Sequence, residues 1–383
     1  MTIIEIFNNI ANSIRSKLGI SSKITPSNYS NEISKIVTST TVNKTSGTGS
    51  VTTKCEGLTK YNGSISRLGT GRGYLSATTV GPYAIFAGGY SENIYENSVD
   101  VYTNTLTKGT AKKLSEIKKD LAATTIGNYA LFAGGYNSSS HPVVVDIYNS
   151  SITKCSAPDL STGRAGLAAA TNSKYAIFSC GSASDITNVD AYNNSLTKST
   201  ASMTARYYLA GTSISSYALF AGGHIIISYY ESALVDSYNT SLTYETQSEL
   251  SEAVHDLAAT SVGNYALFAG GCKAHSSFTY SAITNTYDTS LVHSTASNLS
   301  VARYWLSATT VSSYALFAGG SASGGDSRTV DRYTNTLTRA TLSNLDNKKR
   351  NLAATSVGNY ALFGGGYTND NLKDDTVEVY VGI

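Results

Sequence analysis

Tyr129-Ala-Leu-Phe-Ala-Gly-Gly135 decides the fold, because the chain carries seven versions of it. They begin at Tyr83, Tyr129, Tyr175, Tyr217, Tyr265, Tyr314 and Tyr360, at spacings of 46, 46, 42, 48, 49 and 46 residues. Such a period marks a propeller or a solenoid, in which each unit buries its apolar faces only against its neighbours. The run Tyr-Ala-Leu-Phe-Ala does not alternate apolar with polar, as a half-exposed strand would. It reads as a strand buried on both faces, ended by a Gly-Gly pair where the backbone turns or approaches a neighbour closely.

Each copy sits in one frame. Upstream is an alanine- and threonine-rich run such as Leu121-Ala-Ala-Thr-Thr125, set off by a short turn, Gly127-Asn128. Downstream come a variable stretch, a segment such as Val145-Asp-Ile-Tyr148, a turn (Asn149-Ser150) and a segment such as Leu196-Thr-Lys198. Four short β-prone segments per unit, separated by turn chemistry, predict a four-stranded antiparallel blade with strands a to d.

This frame resembles the kelch family of β-propellers. The diglycine Gly134-Gly135, the strand c tyrosine Tyr148 and a basic residue just before strand a carry the resemblance. The basic position reads Arg72, Lys118, Arg164, Arg206, Arg303 and Lys349, with Val254 as the exception. The match departs at strand d, where kelch repeats usually carry tryptophan and this chain has Leu-Thr-Lys. The resemblance covers about residues 57–383 and implies a fold; such propellers include enzymes and pure binding modules alike.

The two ends complement each other. Leu58-Thr-Lys60 matches the strand d signature with no strand a, b or c before it, while Val377-Glu-Val-Tyr380 is a strand c with no strand d after it. The N-terminal strand is therefore expected to complete the last blade and remove two exposed edges. The predicted chain is all-β: a seven-bladed propeller over 55–383 closed by an N-terminal strand, a Ser/Thr/Gly-rich linker over 38–54, and a short α-helical region over 1–37.

In that N-terminal region Ile3, Phe7, Ile10 and Ile14 recur at helical spacing, and a second short helix is expected from Pro26. The region lacks the basic start and apolar core of a secretory signal, and no segment is long enough to span a membrane. Ile14-Arg15 and the turn Lys23-Ile24-Thr25-Pro26 are similar to N-terminal segments of tail-associated proteins of phages and prophages of Gram-positive bacteria. That resemblance implies a virion location, with residues 1–37 attaching to tail subunits. Helices this short are marginal alone, so self-association is also expected.

Net charge is +2 and charged residues are 14%, which gives no case for a nucleic-acid partner. Cys55, Cys155, Cys180 and Cys272 form neither a zinc motif nor a disulfide framework. Cys180 reads as a packed thiol and the chain as one that folds in a reducing compartment.

Blade topology places the d–a and b–c loops on one face and the short a–b and c–d turns on the other. The b–c loops vary most, so their face is the candidate binding face. Fourteen of the 28 tyrosines are fixed by the frame, at Tyr83 to Tyr360 and Tyr102 to Tyr380. The expected ligand-binding aromatics lie outside it: Tyr74, Tyr207, Tyr208, Tyr304 and Trp305 before strand a, and Tyr229, Tyr230, Phe278 and Tyr280 in b–c loops. Such rings stack on the C–H faces of sugars and also form protein hot spots, or else pack loops and plug the central channel. A bacterial surface glycan or wall polymer is the expected ligand, and a structural virion protein the alternative.

A glycan-cleaving reading needs two carboxylates about 5–9 Å apart. Asp120 and Asp256 share one pre-strand-a position, and Glu92, Glu96, Asp185, Glu231 and Asp326 lie in b–c loops, but no motif selects a pair. Asp100, Asp146, Asp190, Asp236 and Asp331 belong to strand c and read as structural. His224, His255 and His275 lack metal-ligand spacing, so no metal or cofactor is expected. The lysines at 112, 113, 118, 119, 348 and 349, with Arg350, read as solvated surface or, alternatively, as a patch that favours an anionic wall polymer.

Overall fold

The structure is a computed structural model that describes residues 40–41, 52–53, 57–182, 187–226, 230–274 and 279–382. The expected helices of residues 1–37 lie outside the described residues. The chain divides into two compact units, residues 1–59 with 383, and residues 60–382. In the first, Thr40–Thr41 pairs antiparallel with Thr52–Thr53. The second unit is the propeller.

Seven four-stranded antiparallel sheets form the blades. Blade 2 is typical: strand a is Ala122–Ile126, b is Tyr129–Ala133, c is Asp146–Asn149 and d is Lys154–Cys155. Among the described residues every regular element is a strand. Strand b is buried on both faces, as its composition predicts. Leu131 and Ala133 join Ala176 and Phe178 of blade 3, while Ala130 and Phe132 join Ile85 and Ala87 of blade 1. Fully burying each Leu or Phe is worth about 2 kcal/mol, so blade-to-blade contact rather than any hairpin stabilises the unit. Strand a is small and hydroxylated because the blades crowd together there: Thr78 bonds Thr125 at 2.9 Å and Thr124 bonds Thr171 at 2.6 Å.

The diglycine does two things. Gly134 and Gly135 have φ of +66° and +107°, and a Cβ on Gly134 would stand 2.7 Å from the Arg164 carbonyl of the next blade. That same carbonyl accepts the Gly135 N–H at 2.8 Å. In blade 3 Cys180 takes the first glycine's place, fully buried, with its thiol against the backbone of Arg206, as a packed thiol should be.

The basic residue before strand a is fully buried in six blades and pairs with the acid of strand c. Arg72 meets Asp100 at 2.9 Å, Lys118 Asp146 at 3.1 Å, Arg164 Asp190 at 2.9 Å, and Arg303 Asp331 at 2.9 Å. Arg206 pairs with Asp236, and Lys349 with Glu378 at 3.2 Å. This corrects the reading of Lys118 and Lys349 as solvated surface. Blade 5 changes both members together: Val254 replaces the cation and Asn285 the acid. A buried charge without its partner is far costlier than a neutral pair.

Strand d explains its own departure from tryptophan. Lys108, Lys154 and Arg339 begin their strands and reach the same acids, at 2.9, 2.6 and 3.0 Å. In blades 1 and 3 the Leu-Thr before the basic residue belongs to the turn, not to the strand as the composition reads, whereas Leu58-Thr-Lys60 is strand throughout. Leu196 and Leu106 stand at φ +57° and +61°, and Leu106 is held there by burial between blades.

The ring closes as the complementary ends require. The last sheet takes its fourth strand from the segment that ends at Lys60. Lys60 bonds Glu378 at 2.8 Å, as Lys108 does Asp100. The Tyr61 N–H donates to the Val379 carbonyl at 2.8 Å, and the Tyr61 ring meets Tyr360 edge-on at 5.9 Å. Phe86 and Tyr102 of blade 1 pack with Leu362 and Val379 of blade 7.

Candidate ligand-binding site

One residue stands before the leucine that precedes each strand a: Tyr74, Asp120, Gly166, Tyr208, Asp256, Trp305 and Asn351. These seven close a belt. The N–H of Asp120 donates to Tyr74 (3.1 Å), Gly166 to Asp120 (3.1 Å), Tyr208 to Gly166 (2.7 Å) and Asp256 to Tyr208 (2.9 Å). Trp305 donates to Asp256 (3.1 Å), Asn351 to Trp305 (3.0 Å) and Tyr74 to Asn351 (3.0 Å). All seven have φ between +51° and +61°, a region that Gly166 enters freely, that Asp120, Asp256 and Asn351 tolerate, and that costs most at Tyr74, Tyr208 and Trp305. The closed belt holds six non-glycine residues in this conformation, one from each of six blades, just as the turn before strand d holds Leu106 and Leu196.

The seven residues and their leucines line a cavity of about 200 Å³, sized for a single ring or head group. Asp120 and Asp256, from blades 2 and 5, both line it. Burial pushes the Asp120 carboxyl up to about 6; Lys119, 3.8 Å away, opposes this and Asp256 adds to it. The Asp256 carboxylate accepts a hydrogen bond from His255 Nδ1 at 2.8 Å. The Tyr74 phenol is pushed up to about 12 by burial and by Asp120, with Arg350 opposing. Tyr208 is raised further, by burial first and then by Asp120 and Asp256. Both phenols therefore stay neutral and can donate.

Asp120 yields a pH prediction. Its folded pKa lies above the ordinary 3.8, so the native state holds the extra proton between about pH 4 and 6. Stability is then lost as pH rises through that window. Asp120→Asn removes the loss, and should stabilise the protein by on the order of 2 kcal/mol at pH 7.5 and hardly at all at pH 4. Thermal unfolding at the two pH values checks this; a destabilised variant at pH 7.5 would show that the Lys119 pairing outweighs burial.

The expected aromatics sort by depth. Tyr74, Tyr208 and Trp305 line the cavity. Tyr304 is buried behind it, stacked on Tyr280 at 4.7 Å and against Trp305 at 4.2 Å. Tyr207 touches Tyr208 at 5.0 Å and His224 at 5.1 Å. Tyr230 is 71% exposed, well outside the cavity. Tyr229 and Phe278 lie outside the described residues, as do His275 and Asp185. Sequence reading passed over Tyr90, Tyr136 and Tyr367, each directly after its diglycine. Tyr367 packs on Tyr74 at 5.5 Å, and its hydroxyl donates to the Tyr90 carbonyl at 2.8 Å. A tyrosine following Gly-Gly in blades 1, 2 and 7 was the available signal.

His224, Glu231 and His255 bring one ligand-type atom each within 4.8 Å of one another. The two imidazoles are stacked, with centroids 3.9 Å and planes 29° apart. Ring-nitrogen lone pairs lie in the ring planes, so stacked rings do not converge on one ion unless one of them turns. As placed, the trio is a packed imidazole pair beside a carboxylate.

No protein-family model and no curated protein matches this chain. A solved structure titled "Structure of YjhT" is similar, with a TM-score of 0.56 and 12% identity, over 73% of this chain and 99% of that one. The likeness is one of fold alone.

Proposed function

We propose that this protein is a receptor-binding protein of a phage or phage-like tail, whose propeller binds a bacterial surface glycan at the axial cavity and the loops around it. The observation that carries the binding reading is the cavity itself: Tyr74, Tyr208 and Trp305 with Asp120, Asp256 and Asn351 around one axis. Flat rings stack on sugar C–H faces, while hydroxyl and acceptor groups beside them fix orientation. The tail reading rests on the N-terminal resemblance. In it, residues 1–37 dock on virion subunits and self-associate, and light scattering of the full chain against residues 51–383 tests that: a monomeric full chain counts against it.

Trp305→Gly tests the binding reading cleanly. Glycine suits φ +54° and already occupies the same belt position as Gly166, so the ring is removed with no strain added. Cell binding should weaken roughly thirtyfold, about 2 kcal/mol, with thermal stability retained. Ser151→Ala, at an exposed turn on the opposite face, should change neither. Undiminished cell binding by folded Trp305→Gly would remove the axial cavity from the site.

A second reading, glycan cleavage, is favoured by one observation. Asp120, whose carboxyl burial raises to about 6, shares its cavity with Asp256, and a raised carboxyl beside a second one can take the acid role. Release of reducing ends from purified wall polymer, abolished in Asp120→Asn, would support it over binding alone.

A further inference from the structure

Resting on the glycan reading above, the geometry points to a positively charged ammonium group as the part of the ligand that enters the axial cavity, so that the polymer bound is an amino-sugar or otherwise amine-bearing glycan. The belt is the first reason. The N–H of every belt residue is already spent on the neighbouring carbonyl, so the backbone offers no donors to an anion and recognition falls to the side chains, whose only donors are neutral.

Those side chains are electron-rich. Three aromatic faces, two carboxylates and one amide line the cavity, and no lysine, arginine or histidine is among the lining residues. The Asn351 Oδ1 is buried and has no hydrogen-bond donor among the described residues. A buried acceptor left unmet is costly, and an N–H from a ligand would satisfy it. Aromatic rings beside carboxylates hold ammonium groups through ring quadrupoles and direct charge pairing, with most gain where water is excluded.

Two neighbouring cations already approach these groups, although neither lines the cavity. Lys119 stands 3.8 Å from Asp120 and over the Tyr74 and Tyr90 rings at 4.9 and 5.0 Å, which shows that these faces accept a cation from the side. Arg350, tied to Asp326 at 2.7 Å, places its guanidinium over the Trp305 ring at 5.9 Å. His255 holds Asp256 through Nδ1, and a carboxylate with two oxygens keeps acceptor capacity for a second partner.

Trp305 is the single tryptophan, so its fluorescence in the full chain reports this cavity directly. Glucosamine, N-acetylglucosamine, glucuronate and tetramethylammonium are titrated at equal ionic strength. Glucosamine and tetramethylammonium should shift Trp305 emission at concentrations at least about tenfold below N-acetylglucosamine, and glucuronate should leave it unchanged. Asp256→Asn should remove most of that preference; Asp120→Asn, expected to fold at least as well as the parent at pH 7.5, provides the same test should the first variant misfold. An equal response to glucosamine and N-acetylglucosamine, or a stronger one to glucuronate, overturns the ammonium assignment and leaves the glycan reading standing. Silence toward all four overturns the assignment as well. Ammonium binding by a protein that binds no cells supports the assignment and overturns the tail-receptor reading instead.

Discussion

Deleting residues 1–66 should leave the protein aggregated, or melting on the order of 10 °C lower, whereas deleting residues 1–50 should leave its melting temperature nearly unchanged. The larger deletion removes Lys60 and Tyr61, and with them the Lys60–Glu378 ion pair and the hydrogen bond to the Val379 carbonyl. It also takes the Tyr61 ring from Tyr360 and the Ser66 carbonyl that accepts the Tyr102 hydroxyl at 2.9 Å. Val377–Gly382 would then be an uncovered edge, a template for pairing with another chain. The damage falls at the seam where Phe86 and Tyr102 meet Leu362 and Val379, so the ring loses closure as well as one strand. Differential scanning calorimetry and light scattering on both truncations decide it. Equal melting temperatures would mean that the ring closes without the Lys60–Tyr61 segment.

The second large effect concerns the buried ion pairs. Asp190→Asn should destabilise the protein by about 3–5 kcal/mol, because Arg164 remains fully buried with its counter-charge gone. Asp190 also accepts from the Ser161 N–H and lies within 3.7 Å of Lys198, so one substitution loosens strand d and the loop before strand a together. Blade 5 shows how the chain solves this position without charge. There Val254 packs where the cation would be, and Asn285 keeps the acceptor for the Ser251 N–H at 2.9 Å. Adding Arg164→Val to Asp190→Asn should therefore recover most of the loss. Urea midpoints for the two single variants and the double variant check this, with the double variant expected close to the parent. A double variant as unstable as the sum of the singles would mean that the pair is not an independent unit.

These effects separate what composition and spacing reveal from what they conceal. The seven-fold repeat, the diglycine and the split last blade could be read directly, because each follows from local chemistry: a strand buried on both faces, a left-handed turn, an unpaired edge. The basic residues before strand a could not be read as buried, since Lys118 looks like any surface lysine until Asp146 is placed beside it. Leu106 of Leu-Thr-Lys has the composition of a strand residue, yet it packs between blades in a left-handed turn. The aromatics at positions 74, 208 and 305 stood out as rings beyond the frame, but nothing local says that they share one cavity with Asp120, Asp256 and Asn351. Tyr74 and Asn351 are 277 residues apart and become hydrogen-bonded neighbours only when the ring closes. The sequence by itself determined the blade, its number and its closing strand, because those depend on short-range pattern. Only the tertiary structure decided the site, because a belt of seven single residues, one from each blade, exists nowhere along the chain and arises from the closure of the whole ring.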